Sequence, residues 1–297
     1  MDGNNDRYIC SDDFLVLTDP DLIKDVLIRD FSIFPNRGIR ILDEHEPLTD
    51  HLFNIEEPRW RPLRNKLATV FTSAKLRKMF YLILQCGDHL EKNLAELTLR
   101  SDEVECRELS AKFTTDIIGR CVFSLQFNAL DDENNELREM GKRALATNWR
   151  TFVKSCMRDF SPWLYSLIGP LLADWKMTNF FLNIMRKTIE YRKDNKIVKD
   201  DFIDLIIELK DHPHKLGDIE LTDNLLTAQL LVFFVAGFET SSTTISNVLY
   251  ELAQHQTIQD KLRDAINQEL ARSNGEITYE GIKSIKYLHM VFEGTIL

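Results

Sequence analysis

Helix-breaking residues are scarce in this chain: its 297 residues include 11 glycines and 8 prolines. No Gly-, Pro- or Ser-rich stretch divides it and no internal repeat is visible, so residues 1–297 parse as one mostly helical domain. Basic charge is in deficit, with 37 Lys and Arg against 47 Asp and Glu. The net −10 repels polyanions and argues against a nucleic-acid partner. Paired cysteines are missing as well. The five present, Cys10, Cys86, Cys106, Cys121 and Cys156, form no C-x-x-C motif and are odd in number, the usage of reduced thiols in a cytosol-facing compartment. Long hydrophobic runs are also wanting. The longest uncharged run, Asn224–Phe238, contains Gln229 and falls short of the roughly 20 apolar residues that a membrane span needs. The start, MDGNNDRYICSDD, is polar and shows no targeting or anchoring segment.

What the chain does have is apolar spacing at the helical period. TDPDLIKDVLIRDF predicts a helix with Thr18 or Asp19 as N-cap, Pro20 in its first turn, and Leu22, Ile23, Val26 and Leu27 on one face. Ahead of it, β-prone Phe14–Thr18 is expected to pair with Arg7–Ile9 as a small N-terminal β-hairpin. A loop rich in Asp, Glu, His and Pro runs from Pro35 to Pro58. Helices are then predicted at about 59–68, 74–98, 107–124, 134–156, 177–194 and 200–209, with proline-bounded Ser161–Pro170 as a buried loop or short helix. A long helix capped by Thr222, with Asp223 favouring the dipole of its first turn, reaches about His255. Another spans Thr257–Ala271 and stops at Ser273–Gly275, and a last one covers Ile282–Leu297.

The long helix holds an oddity. Its stretch LLVFFVAGFETSSTTISNVLYEL, residues 230–252, is apolar all round over 230–238 and then sets Glu239 beside Thr240. One reading makes Glu239 the point where the buried stripe turns to solvent, with Ser242 and Ser246 on the polar face. The other begins from cost, because an ionisable group at the end of a fully enclosed run needs hydrogen bonds or a purpose. Thr240 lies four residues after Ala236, so its hydroxyl can bond back to that carbonyl and locally distort the helix. Gly237 removes a side chain in the same turn and opens the backbone to close approach.

AGFETSS, Ala236–Ser242, resembles the oxygen-binding motif A/G-G-x-D/E-T-T/S in the central helix of the cytochrome P-450 monooxygenases, and FFVAGFETSSTT is especially similar to the insect microsomal members. TDPDLIKDVLIRDF, DDFIDLIIELK and YELAQHQTIQDKLRDAI resemble further segments of that family in the right order, so the resemblance covers nearly the whole chain. It implies a mainly α, incomplete cytochrome P-450 fold with haem lying against the central helix. Ala236 and Gly237 would line the distal face, Thr240 would hydrogen-bond the bound oxygen, and Glu239 would help relay protons. The implied activity is insertion of one atom of O₂ into a lipophilic small molecule, with electrons from an NADPH-dependent flavoprotein reductase. The implied location is the cytosolic face of the endoplasmic reticulum membrane.

PRWRPLRNKL carries a second likeness. Trp60 and Arg64, at i and i+4, put an indole N–H and a guanidinium on one helix face, and in the family this W-x-x-x-R pair binds a haem propionate; alone it also suits an ordinary surface pair. Between Arg59 and Lys78 stand seven bases, Arg59, Arg61, Arg64, Lys66, Lys75, Arg77 and Lys78, and no acid. That run reads either as a solvated face or as a docking surface for the acidic reductase. The stretches that contact substrate in the family are here apolar and aromatic: Phe53, Phe160, Trp163, Leu164, Tyr165, Phe180, Phe181, Phe233 and Phe234.

The chain departs from the family in two places. No cysteine follows the central helix, so the axial thiolate ligand of the haem is absent from this chain and no metal ligand is assigned within it. KYLHMVFEGTIL resembles the helix bearing the family's E-x-x-R pair, but Gly294 and Leu297 take the places of the two charged residues. Two readings stay open: part of a functional haem monooxygenase, or a truncated, haem-free and inactive helical protein. The second predicts an isolated chain that aggregates or stays molten, without the reduced-CO band of thiolate haem.

Overall fold

Asp19, not Thr18, begins the first helix, its carboxylate accepting from the N–H groups of Asp21 and Leu22 at 2.9 Å each. This helix, α1 (Pro20–Lys24), runs straight into a π turn, Asp25–Arg29. Ile23 and Val26 are half-buried while Leu22 and Leu27 are exposed, so its inward stripe is narrower than the sequence spacing suggested. The computed structural model describes residues 15–39, 46–100, 103–146, 149–217 and 219–296. Arg7–Ile9 and Phe14 of the expected hairpin lie outside them, as do Cys10 and Leu297. Leu15–Thr18 is not a strand, and no strand occurs among the described residues.

The remaining helices are α2 (Trp60–Ala68), α3 (Ser73–Arg100), α4 (Cys106–Ile118, ending in a π turn, Gly119–Phe123), α5 (Glu136–Leu145), α6 (Trp149–Phe160), α7 (Pro162–Leu172), α8 (Trp175–Asn195), α9 (Phe202–Asp211), α10 (Asp223–Gln254), α11 (Gln256–Arg272), α12 (Tyr279–Ser284) and α13 (Lys286–Ile296). The last expected helix, Ile282–Leu297, is displaced: Ile282–Ser284 close the short α12, Ile285 caps it, and α13 begins only at Lys286. The helix expected over 134–156 is split, with Ala146 leaving helical geometry at ψ 116°. Packing divides it, since α5 lies on α10 and α8 whereas α6 pairs with α7. Ser161–Pro170 is helical as α7, because Pro162 occupies the first turn, where its missing N–H costs nothing, and Pro170 falls near the end.

α10 is the axis of the domain, packed most extensively along α4 and also against α5, α8, α11 and α13. Around it stand Phe123, Phe181, Phe234 and Phe238, all fully buried, with Phe234 and Phe238 stacked at 4.8 Å between centroids. Each such ring contributes about 1.5–3 kcal/mol over an exposed one. A smaller cluster, Val248, Leu252 and Leu262, ties the far end of α10 to α11 and α13. By length and composition α10 is long and apolar enough to cross a membrane, but 56% of its most apolar window is buried against other parts of the domain, as befits a core helix. The four described cysteines are free thiols, and burial pushes Cys86 up to about 11 and Cys121 up to about 12.

Candidate active site on the central helix

Thr222 caps α10 through its side-chain oxygen, which accepts from Leu225 N–H at 3.1 Å. Leu225–Leu231 is enclosed on every side. From Val232 onward one face opens, and Ala236 and Thr240, one turn apart, are exposed while Phe234, Phe238 and Ser242 are buried opposite. The all-round burial expected over 230–238 thus sits one to two turns earlier, because α4 and the phenylalanine stack cover a single side there. The Thr240 hydroxyl donates to the Ala236 carbonyl at 2.5 Å, the back-bond that the i, i+4 spacing predicts. The helix is not distorted by it. α10 stays α-helical from Asp223 to Gln254.

Glu239 and Thr240 are neighbours in sequence and so point about 100° apart around the helix. Glu239 turns toward α4, where Arg107 donates to its carboxylate at 2.8 Å. Gly237 faces α4 too: a β-carbon placed there would lie 2.4 Å from Ile118 Cδ1 and 2.9 Å from its Cγ1. The close approach that this glycine permits is therefore that of Ile118. Beside it the Thr114 hydroxyl donates to the Phe238 carbonyl at 2.9 Å, fixing the two helices in register.

Pro62 falls in the first turn of α2, as its missing N–H requires, and Trp60 opens the helix. Trp60 packs on Phe31, ring centroids 5.8 Å apart, and against the main core. Among the described residues neither its ring N–H nor the exposed Arg64 guanidinium has a hydrogen-bonding or ionic partner. The rest of the basic run differs. Arg59 pairs with Asp50 and Arg61 with Glu57 at 2.7 Å, Lys66 with Glu208 at 2.9 Å, Lys75 and Lys78 with Asp200 at 3.1 Å, and Arg77 with Glu280. Lys215 and Lys66 hold the Glu208 carboxyl down to about 2. The run is thus not a bare cationic face. Its counter-charges arrive from the preceding loop, from the loop leading into α9, from α9 itself and from α12, which a local count of acids cannot see.

Three contributors were not singled out from sequence. Arg107 and Ile118 are more than a hundred positions from their partners and carry no local signal. Gln229 did leave one, as a polar residue inside an apolar run. It is fully buried and accepts from Leu52 N–H at 2.8 Å while donating to the carbonyls of Asp50 at 3.0 Å and Leu225 at 2.9 Å, so it pins the loop before α2 to α10. That loop is held on its other side by Glu46, which accepts from Lys154 and from the Tyr165 hydroxyl. Of the aromatic residues expected to meet substrate, Phe181, Phe234 and Tyr165 are buried, Phe53, Phe160 and Trp163 are exposed, and Phe180 and Phe233 are half-buried.

Fold and site together define a helical domain organised on one core helix that opens at an Ala, Gly, Glu, Thr turn. The sequence profile described as cytochrome P450 matches residues 7–295. Among curated proteins the chain is 41% identical over 285 residues to probable cytochrome P450 6a23 of Drosophila melanogaster, covering 95% of this chain and 57% of that protein. It is 36% identical over 283 residues to cytochrome P450 6A1 of Musca domestica, covering 95% and 56%. The chain belongs to the cytochrome P450 family. It spans a little over half the length of these relatives.

Haem is the family's cofactor, and two features of this chain fit it. Arg64 is the one base of the Arg59–Lys78 run without a carboxylate among the described residues, and it stands one turn from an indole N–H that is likewise unpaired. Two such donors on one face suit a propionate. The uncovered Ala236–Thr240 face offers small side chains and a hydroxyl where a flat group can lie against the helix.

Proposed function

We propose that this chain supplies the oxygen-handling face of a haem-dependent monooxygenase that acts on lipophilic small molecules with electrons from a flavoprotein reductase. The observation that carries the reading is the exposed pair Ala236 and Thr240 on the central core helix of the domain, after its fully enclosed Leu225–Leu231 segment. Trp60 and Arg64 would hold the propionates, and Ala236 and Gly237 would border the haem face. When bound, haem supplies the redox chemistry that activates O₂.

The chain's own residues manage protons and water. The Thr240 hydroxyl already donates to the Ala236 carbonyl, which leaves its oxygen lone pairs directed outward to accept a proton donor on the exposed face. Glu239, one position away and tethered by Arg107, is a carboxylate held at the rim, where it can exchange protons with solvent and pass them inward through a water to Thr240. Phe233, half-buried in the turn before Ala236, adds apolar surface beside the exposed face.

A chimera carrying residues 7–295 in place of the matching segment of the Musca domestica relative tests this. It should bind haem and oxidise a lipophilic probe with reductase and NADPH. Thr240→Ala should cut product formation by about 100-fold, the scale of a lost proton-transfer group. A chimera that binds haem but turns over equally well with alanine at 240 overturns the assignment. The reductase would dock on the side bearing Arg59, Arg61, Arg64, Lys66, Lys75, Arg77 and Lys78, on an enzyme facing the cytosol from the endoplasmic reticulum. Charge reversal at Lys75, Arg77 and Lys78 then slows reduction at low salt, and an unchanged rate removes this surface.

A further inference from the structure

Away from the central helix, a cleft of about 390 Å³ opens between α3, the residues following the α4 π turn, and the loop leading into α9. It is large enough for a small organic ligand, since such sites start near roughly 300 Å³. Its lining has four cations, Lys75, Lys78, Arg120 and Lys199, against two carboxylates, Asp200 and Asp201, in a chain of net charge −10.

The carboxylates are already engaged. Asp201 is buried and held by Arg192 through two bonds of 2.7 and 2.6 Å. Asp200 sits between Lys75 and Lys78, its two oxygens 3.1 Å from one ammonium each, and those two hydrogen bonds hold its carboxyl below the usual range. The two lysines therefore form a pincer spaced to clamp an oxyanion, filled at present by a tethered monoanion on a loop residue with φ +58°. Arg120 donates only to the neutral Gln85 carbonyl at 3.1 Å, and Lys199 has no ion pair among the described residues. Neither cation forms an ion pair among the described residues, although Asp116 is near enough to Arg120 to feel its charge. The wall beside them is apolar, made by Met79, Leu82 and Leu125.

We propose that this cleft binds a phosphomonoester carried on a small apolar or aryl group. The dianion enters the Lys75–Lys78 pincer in exchange for Asp200 and completes its charge balance on Arg120 and Lys199, while the apolar body lies on Leu82 and Leu125. A single carboxylate would gain little over Asp200, which already occupies the pincer; a second negative charge supplies the difference. The assignment is independent of haem and of the oxygen-handling reading.

Calorimetric titration of phenyl phosphate into the 297-residue chain, and into the chimera described above, tests it. Binding should saturate at one site, inorganic phosphate should bind about tenfold more weakly for want of the apolar contact, and phenol should not bind. Arg120→Gln with Lys199→Gln should weaken phenyl phosphate about tenfold or more. Asp200→Asn removes the competing carboxylate and should tighten binding several-fold, a gain that a purely structural role for Asp200 does not produce. Far-UV circular dichroism of each variant checks that it is folded. Vesicles containing phosphatidic acid form the second arm: binding there that rises with Asp200→Asn assigns the phosphate to a lipid headgroup, and rise in the soluble arm alone assigns it to a free metabolite. Absence of saturable binding in both proteins, or affinity indifferent to both the Asp200 and the Arg120–Lys199 substitutions, overturns the proposal.

Discussion

Gly237→Ala sets two known effects against each other. Alanine in a helix interior gains about 1 kcal/mol over glycine. The new methyl, however, would stand 2.4 Å from Ile118 Cδ1 and 2.9 Å from Cγ1, well inside the normal carbon contact of roughly 3.5–4.0 Å. The helices cannot slide apart freely, because the Thr114–Phe238 bond and the phenylalanine stack hold α4 on α10. Ile118 is half-buried and packs against the main core, so moving its δ-methyl disturbs those contacts. Overpacking of this kind costs about 1–3 kcal/mol, so once propensity is deducted the net expectation is a loss of up to about 2 kcal/mol. Ile118→Val removes Cδ1 and alone costs about 1 kcal/mol. In the double variant most of the clash is gone, and the two losses should fall short of additivity by about 1 kcal/mol. Urea unfolding followed by circular dichroism at 222 nm measures all four corners of the cycle, with an unchanged slope expected. A Gly237→Ala protein more stable than the parent, or a strictly additive double variant, would refute the reasoning and leave the glycine to serve a ligand on the other side.

Gln229→Ala strips the pinned loop of its two bonds to α10 and leaves Leu52 N–H and the Asp50 carbonyl buried without partners; a loss of about 2–4 kcal/mol is expected, with faster hydrogen exchange at the Leu52 amide, and unaltered exchange there would show that the loop is held elsewhere. His51 gives a pH signature. Burial lowers its pKa from 6.5 to about 4, so the unfolded chain takes up a proton between those values that the folded one refuses. Stability from this residue is intact above about pH 6.5 and is lost as the pH falls toward 4, by at most roughly 3 kcal/mol. His51→Leu should flatten the urea midpoint between pH 7 and 5 relative to the parent, and an equal slope in both would exclude His51 as its source.

The long helix was legible because its evidence is local: a capping threonine, an acid in the first turn and an uncharged, mostly apolar run of 15 residues from Asn224. So was the Thr240 back-bond, which depends only on a spacing of four within one helix. The split between α5 and α6 was not, since Ala146-Thr147-Asn148 holds no Gly or Pro to force it and the division follows which neighbours each half packs on. The basic run failed in the same way: along the chain it has no acids, yet six of its seven members are paired in space.

Residue type and short-range spacing thus sufficed for the helices, the oxygen-motif turn and the family resemblance, because hydrogen bonding at i, i+4 and the helical period are properties of adjacent residues. The fold alone decided that Glu239 meets Arg107, that Gly237 makes room for Ile118, that Gln229 anchors the loop before α2, and that Arg64 keeps its charge unpaired. Each of those depends on the approach of elements up to 179 positions apart, and contacts of that range are set by how apolar faces close on one another.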